Sequence, residues 1–304
     1  MKRKVTAGNV VFDTFLYVAL VIMVVVTIYP FLNSLAISLN DADDTTKGGI
    51  SVYPRVFSTR NYELIFQNPK IYNAYFITIS RTLVGTLSAL FCTSLLAFGM
   101  AHPSLKCRKL YTMILLIPMY FGGGLMPYYF LIKWLGMTNS FQVYWIPSLV
   151  GIFNVILMKT YFQGIPLALE ESARIDGANM WTVFFKIIFP ISTPIIATIA
   201  LFVGVGQWNS WFDASIFITN QKLKPMQNVL LSIISEARYA EALTQLASTT
   251  GVTVDASNIG KTAKVNVRSI TMATMIMTIL PIVMAYPFLQ RYFIKGIMVG
   301  SLKG

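Results

Sequence analysis

Few residues of this chain have the types and spacing that catalysis or metal binding needs. The 304-residue sequence has one histidine, His102, and two cysteines, Cys92 and Cys107, which share no motif spacing. Residues 255–262 (DASNIGKT) end like a phosphate-binding loop but begin with aspartate where that loop needs glycine. We therefore expect no catalytic site and no metal or cofactor bound by this chain.

Charge pairing and turn formation are the chemistry that residues 166–190 (PLALEESARIDGANMWTVFFKIIFP) offer. Glu170 can pair with Arg174 one helical turn later, on a short helix that begins near Pro166. Asp176-Gly177 is a turn residue followed by one that tolerates positive φ, after which an asparagine can cap a second helix. The stretch predicts a helix, a tight corner and a second helix.

The second helix has an apolar stripe. Met180, Val183, Phe184 and Ile187 recur at i, i+3, i+4 and i+7, before Pro190 interrupts the pattern. This spacing predicts an apolar face that contacts a partner surface.

Aromatic and amide side chains occur beside two interruptions of apolar runs. Three glycines, 122–124, lie between two prolines and precede Tyr128 and Tyr129; Gln207, Trp208 and Asn209 end a later run. Such a backbone must line protein or water, and its aromatic rings suit stacking on sugars. An aromatic belt at the membrane interface is the alternative for each ring.

The elements that must position these residues are membrane helices, because 55% of the residues are hydrophobic and only 12% are charged. We expect an all-α integral membrane protein that is a single domain over 1–304, with an external loop at 219–268. The net charge of +12 fits basic flanks on anionic lipid better than nucleic acid binding. By the positive-inside rule the short basic loop at 102–109 is cytoplasmic. With six spans, this places both termini in the cytoplasm. The predicted spans are 10–32, 71–101, 110–132, 141–161, 190–212 and 270–293.

Arg81 is the exceptional charge, because it lies within the second predicted span. A charge there is expected either to reach the interface or to be paired. A role in a translocation path stays open beside these structural explanations.

Residues 166–190 resemble the EAA loop of ATP-binding-cassette importer permeases, which reads EAA, three residues, Gly, nine residues and I-x-L-P. Here the loop reads Glu171-Ser172-Ala173, then Gly177, then Ile187-Ile188-Phe189-Pro190. Ser172 and Phe189 depart from the pattern, and the spacing is kept. The carbohydrate-uptake, maltose-type branch of these permeases is similar to this chain at residues 206–212 (GQWNSWF) and 295–304. Its complex-oligosaccharide subgroup is similar at residues 121–125 (FGGGL) and 170–178.

This resemblance implies a type I importer permease fold with cytoplasmic coupling helices in a bacterial cell membrane. Its implied partners are a second permease, two ATPase subunits that bind ATP and magnesium, an extracytoplasmic sugar-binding protein and an oligosaccharide. The implied ATPase-coupling residues are Glu170, Glu171, Ala173, Asp176, Gly177, Met180 and Phe184. Candidate substrate-path residues are Tyr128, Tyr129, Gln207, Trp208 and Asn209.

Two other functions compete with this one. A secondary transporter of a small polar solute would show hydropathy repeats and paired intramembrane ionisable residues, for which Arg81 is the one candidate. A membrane enzyme would need a nucleophile and base, or a cluster of His, Asp and Glu, at one depth. The sequence shows neither set.

Overall fold

The computed structural model describes residues 7–250 and 267–301, so the 255–262 run and part of the predicted 219–268 loop lie outside the described residues. Within these ranges the chain is helical, with one isolated bridge between Asn40 and Phe57. The helices are α1 (Ala7–Ser38), α2 (Ala42–Thr46), α3 (Arg60–Phe66), α4 (Pro69–Ala101), α5 (Arg108–Tyr120), α6 (Leu125–Trp134), α7 (Ile152–Gln163), α8 (Ala168–Ile175), α9 (Met180–Val183), α10 (Phe189–Ile191), α11 (Thr193–Asn209), α12 (Phe212–Phe217), α13 (Met226–Thr250) and α14 (Val267–Ser301).

Three stretches of these helices are long and apolar enough to cross a membrane: Val10–Ser38, Pro69–Ala101 and Val267–Pro287. Three pairs of shorter helices meet the same requirement only when each pair is taken together. The bends within the pairs are 111° between α5 and α6, 73° between α7 and α8, and 80° between the Met180–Ile191 segment and α11. The described residues therefore contain three to six candidate spans.

The bends follow from local sequence. The interruption expected at the three glycines is present: α5 ends at Tyr120, Gly124 has a φ of +81°, and α6 begins at the next residue. Residues 141–151 do not continue the helix that was predicted over 141–161. A 3-10 turn covers Phe141–Tyr144, and α7 starts only at Ile152, after Pro147 and Gly151. At 1.5 Å per residue α7 is about 18 Å long, too short to cross a membrane alone.

The contacts divide the chain into two units, residues 1–69 with 230–279 and residues 70–229 with 280–304. In the first unit, the segment after α1 is ordered by buried amides. The Asn61 side-chain amide donates to the carbonyl oxygens of Ser38 and Asn40, both at 3.0 Å. Arg55 pairs with Asp44 at 3.0 Å. The polar segment between α1 and α4 is therefore folded.

The second unit carries the candidate site on two apolar clusters. One cluster packs α4, α7, the α8–α9 segment and α11; it comprises Leu90, Ala97, Met100, Ala101, Val155, Met158, Phe162, Ala173, Val183, Ile188 and Ile199. The other comprises Ile77, Ile132, Met137, Val143, Tyr144, Ala214, Phe217 and Ile218. Along α4, the buried residues Gly85, Ala89, Thr93 and Ala97 recur at every fourth position. Small residues at this spacing let helices approach closely, so this face of α4 packs against protein.

Candidate functional site

The corner predicted in residues 166–190 is present between α8 and α9. Gly177 has a φ of +83°, and its N–H donates to the Arg174 carbonyl oxygen at 3.0 Å. The Ala178 N–H donates to the Ala173 carbonyl oxygen at 2.9 Å. These two bonds, with glycine in the left-handed conformation, form a Schellman motif that ends α8.

The second helix of the motif starts with the expected cap. The Asn179 side-chain oxygen accepts from the Thr182 N–H at 2.8 Å and from the Thr182 hydroxyl at 3.0 Å. This cap satisfies one of the free N–H groups at the start of α9. Local capping and turn chemistry therefore determine the corner on both sides.

Glu170 forms the predicted ion pair and a second bond that the sequence did not reveal. Its carboxylate lies 2.7 Å from Arg174 Nη2 and 2.8 Å from His102 Nε2, and only 8% of the residue is exposed. The Ser104 N–H donates to His102 Nδ1 at 3.2 Å, so Nδ1 is an acceptor and Nε2–H donates to Glu170. This bond ties His102, the single histidine of the chain, to α8.

Glu170 and Glu171, although adjacent, therefore have different surroundings. Glu170 is buried and fixes α8 to the loop that follows α4, whereas Glu171 is exposed. No ion pair of Glu171 is found among the described residues. Ala173 is buried against the first apolar cluster, and Asp176 is exposed beside the corner. Of the two glutamates, only Glu171 is available to a partner.

The apolar stripe of the second helix faces inward, which corrects the prediction for Phe184. Phe184 is 1% exposed, its ring centroid lies 5.1 Å from that of Phe98, and Val183 is also buried. Within the π-helix over Phe184–Ile188, Ile188 is buried and Ile187 is half-buried, and both pack in or against the first apolar cluster. The periodicity detected a real apolar face but not what it packs against.

The exposed apolar side chains near the corner are largely different ones. Ile175 is 87% exposed, and Trp181 and Phe185 are exposed with their rings stacked at a centroid distance of 6.2 Å. Met180 is the stripe residue that stays exposed. Sequence reasoning missed the first three because they lie off the stripe; their signal was large apolar side chains beside a polar corner.

A buried charge network lies where α4 meets the α11–α12 junction. Arg81 is 1% exposed and donates from Nη2 to Asp213 at 3.3 Å. Its Nε and Nη2 donate to Gln207 Oε1 at 3.3 and 3.2 Å, and its Nη1 donates to the Ser210 carbonyl oxygen at 3.1 Å. The guanidinium carbon lies 4.3 Å from the centroid of the Tyr144 ring. Arg81 is therefore paired, not extended to the interface, and Asp213 is the acid that sequence reasoning did not assign to it.

The Gln207 side chain is fully occupied by this network. Its oxygen accepts from Arg81, and its Nε2 donates to the Tyr144 carbonyl oxygen at 3.1 Å and to the Ser148 hydroxyl at 2.7 Å. A primary amide has two N–H donors, and both are used here. Gln207 therefore orients its neighbours and has no free donor for a ligand.

A cavity of about 470 Å³ adjoins the network. Its polar lining includes Arg81, Tyr128, Tyr144, Ser148, Asn154, Gln207 and Asp213. Of the five predicted substrate-path residues, Tyr128 and Gln207 line it. Tyr129 instead stacks on Phe217 at 5.9 Å, Trp208 is buried, and exposed Asn209 accepts from Gln227 at 3.0 Å.

The long apolar helices and the bent helix pairs define a polytopic helical membrane protein. A family model described as "Binding-protein-dependent transport system inner membrane component" matches residues 85–299, more than half of the chain. The chain belongs to this family of transport permeases. The resemblance found in the sequence is thereby confirmed, and in general terms membership implies a binding protein and an ATPase as partners.

Individual relatives cover nearly the whole chain. The polygalacturonan/rhamnogalacturonan transport system permease protein YtcP of Bacillus subtilis (strain 168) is 32% identical over 296 residues, 97% of this chain and 99% of that protein. Protein LplC of the same organism is 35% identical over 279 residues, 92% and 90% of the two chains. A chain in the crystal structure of a bacterial ABC transporter involved in the import of the acidic polysaccharide alginate has the same fold. The two chains superpose with a TM-score of 0.84 and are 24% identical, and the match covers 95% of this chain and 99% of the transporter chain. YtcP is named as a transport permease, and the matched family is one of transport components and not of enzymes.

Proposed function

We propose that this chain is the permease subunit of an ATP-driven, binding-protein-dependent importer of oligosaccharides. The observation that carries the proposal is the glycine-cornered α8–α9 motif, which lies within the region matched by the permease family. Relatives named for the transport of polygalacturonan/rhamnogalacturonan and arabinooligosaccharides support a saccharide substrate.

In this proposal the α8–α9 corner couples the permease to an ATPase subunit. Its polar contact is the exposed Glu171 carboxylate, with Asp176 beside it, and its apolar contacts are Met180, Ile175 and Trp181. Charge pairs across an interface give specificity, and large apolar side chains at its centre give most of the affinity. Glu170, Ala173 and Phe184 act indirectly, because they hold the corner in place from within the chain.

The sugar path runs along the cavity at the α11–α12 junction. Tyr128 supplies an aromatic face for a sugar ring, and Asn154 supplies an amide. Arg81 and Gln207 position that wall without contacting the sugar, because their hydrogen bonds are made within the chain.

The remaining features of the proposed assembly follow the same model. We infer six spans, with both termini and the α8–α9 corner in the cytoplasm and the chain in the bacterial cell membrane. A second permease completes the path, an extracytoplasmic protein delivers the sugar, and two ATPase subunits bind ATP and magnesium. In this proposal ATP and magnesium are held by the ATPase subunits and not by this chain.

The coupling proposal is tested by Glu171→Lys and Gly177→Val in the assembled transporter. Glu171→Lys places a like charge against a basic partner residue, and Gly177→Val strains a left-handed position by about 1 to 2 kcal/mol or more. Both variants should insert normally and bind the loaded binding protein, yet lose uptake and sugar-stimulated ATP hydrolysis. Glu236→Lys, on an exposed part of α13, and Gly177→Asn, which tolerates positive φ, are the matched controls.

Full stimulated hydrolysis and uptake in both variants would show that the corner is only a linker. Uptake that persists without ATP and stops when the proton or sodium gradient is collapsed would instead identify a secondary transporter.

A further inference from the structure

A second cavity, of about 460 Å³, lies between the start of α5 and the end of α7. Its lining contains three cationic side chains, Arg108, Lys109 and Lys159. The other lining residues are Thr112, Met113, Leu116 and Gln163, so no carboxylate from the described part of the chain lines this cavity. Three like charges around one concave surface repel each other unless an anion joins them.

Lys159 is the least exposed of the three cations. Its ammonium donates to the Thr112 hydroxyl at 2.8 Å, and this neutral oxygen is the one partner found for it in the described part of the chain. An ammonium group has three N–H donors, and an arginine beside it can offer a phosphate two parallel hydrogen bonds. The donor set therefore fits a phosphate group.

The surface of α5 next to these cations is apolar. Met113 and Leu116 form the wall of the cavity, and the α5 residues Leu110, Met113, Ile114 and Ile117 are exposed. Lys109, Met113 and Ile117 are spaced four residues apart, which places the cation and the apolar side chains on one face of α5. A cationic pocket above an apolar helix face matches an amphiphile with an anionic head and acyl chains.

We propose that this cavity binds the phosphate headgroup of an anionic phospholipid, with the acyl chains along the exposed face of α5. Arg108 also lines the cavity that contains Glu170 and His102 under the α8 helix. The lipid would therefore lie next to the residues that hold the proposed coupling corner. The placement at the corner rests on the proposed function, whereas lipid binding itself does not.

The test compares two variants of the complete transporter with equal losses of charge. The first carries Arg108→Gln, Lys109→Gln and Lys159→Gln; the control carries Lys106→Gln, Lys133→Gln and Lys186→Gln, three exposed lysines outside the cavity. Each protein is extracted in mild detergent from phosphatidylglycerol-containing membranes, and bound lipid is counted by native mass spectrometry. Each basic residue near an anionic surface contributes about fivefold to lipid affinity, so loss of all three should weaken phosphatidylglycerol binding by roughly a hundredfold. The control should retain the wild-type amount.

Two further measurements separate lipid binding from folding and from phosphate binding. If the triple variant does not fold, Arg108→Gln alone takes its place. This change removes one exposed side chain and should lower lipid retention by about fivefold. Phosphatidylglycerol vesicles should raise the thermal midpoint of the wild type more than phosphatidylcholine vesicles do, and should not do so for the triple variant. Equal retention in the triple variant and the control would overturn the proposal. Stabilisation of the wild type by millimolar inorganic phosphate, with no phosphatidylglycerol retained, would also overturn it, because the ligand would then be free phosphate. These readouts do not depend on transport, so they stand or fall separately from the proposed function.

Discussion

The buried Arg81 network leads to an asymmetric prediction for its two charged partners. Arg81 is 1% exposed, whereas 28% of the Asp213 side chain is exposed. Asp213→Asn therefore leaves a guanidinium charge in a buried site, but Arg81→Met leaves a carboxylate that water can reach. A buried charge that loses its partner costs about 3 to 5 kcal/mol, and unmade hydrogen bonds to buried acceptors cost about 1 to 3 kcal/mol. Asp213→Asn should be the more destabilising of the two.

The double variant sharpens this prediction. Arg81→Met/Asp213→Asn removes the charge that Asp213→Asn leaves unpaired, so it should be more stable than Asp213→Asn alone. The assay is the temperature at which half of the detergent-solubilised protein leaves its monodisperse chromatographic peak, measured for the wild type, both single variants and the double variant. Asp43→Asn, at an exposed carboxylate, is the control and should change stability by no more than about 0.5 kcal/mol.

Two results would refute this reasoning. An Asp213→Asn midpoint equal to that of the wild type would show that the 3.3 Å contact does not neutralise Arg81. A double variant less stable than Asp213→Asn would show that Arg81 stabilises the junction through its neutral acceptors and the Tyr144 ring more than through charge.

Two further predictions concern close packing and pH. Gly85→Ala would place a methyl group 2.8 Å from the Gln207 side chain, which is held in place by its own hydrogen bonds, so the thermal midpoint should fall. Gly99→Ala, on the same helix, is the control. Its methyl group meets nothing within 4 Å, so the thermal midpoint should stay unchanged or rise. Equal midpoints for the two variants would contradict the close approach. The hydrogen bond from the Asn40 amide and, to a smaller extent, Arg55 hold the pKa of Asp44 below its ordinary value of 3.8. The ionised carboxylate therefore stabilises the folded segment at pH values above 3.8. This contribution is lost as the pH falls through the lowered pKa. Pepsin should cleave residues 40–57 increasingly fast as pH falls below about 4, relative to a free peptide of that sequence, and Asp44→Asn should abolish the dependence.

The sequence by itself determined the features that depend on a few neighbouring residues. The α8–α9 corner follows from a glycine that accepts positive φ and an asparagine that caps the next helix, and both act within five residues. The break between α5 and α6 follows in the same way from three glycines between two prolines. The membrane class follows from composition, and the family from the spacing of the EAA loop.

The tertiary structure alone decided which distant groups meet. Arg81 and Asp213 are separated by 132 residues, and His102 and Glu170 by 68, so no local spacing could pair them. The inward orientation of Phe184 depends on its packing against Phe98, 86 residues earlier in the chain. In a membrane protein an apolar face can contact lipid, another helix or a partner subunit, because all three are apolar surroundings. Periodicity therefore located the apolar face of that helix, and only packing showed what it contacts.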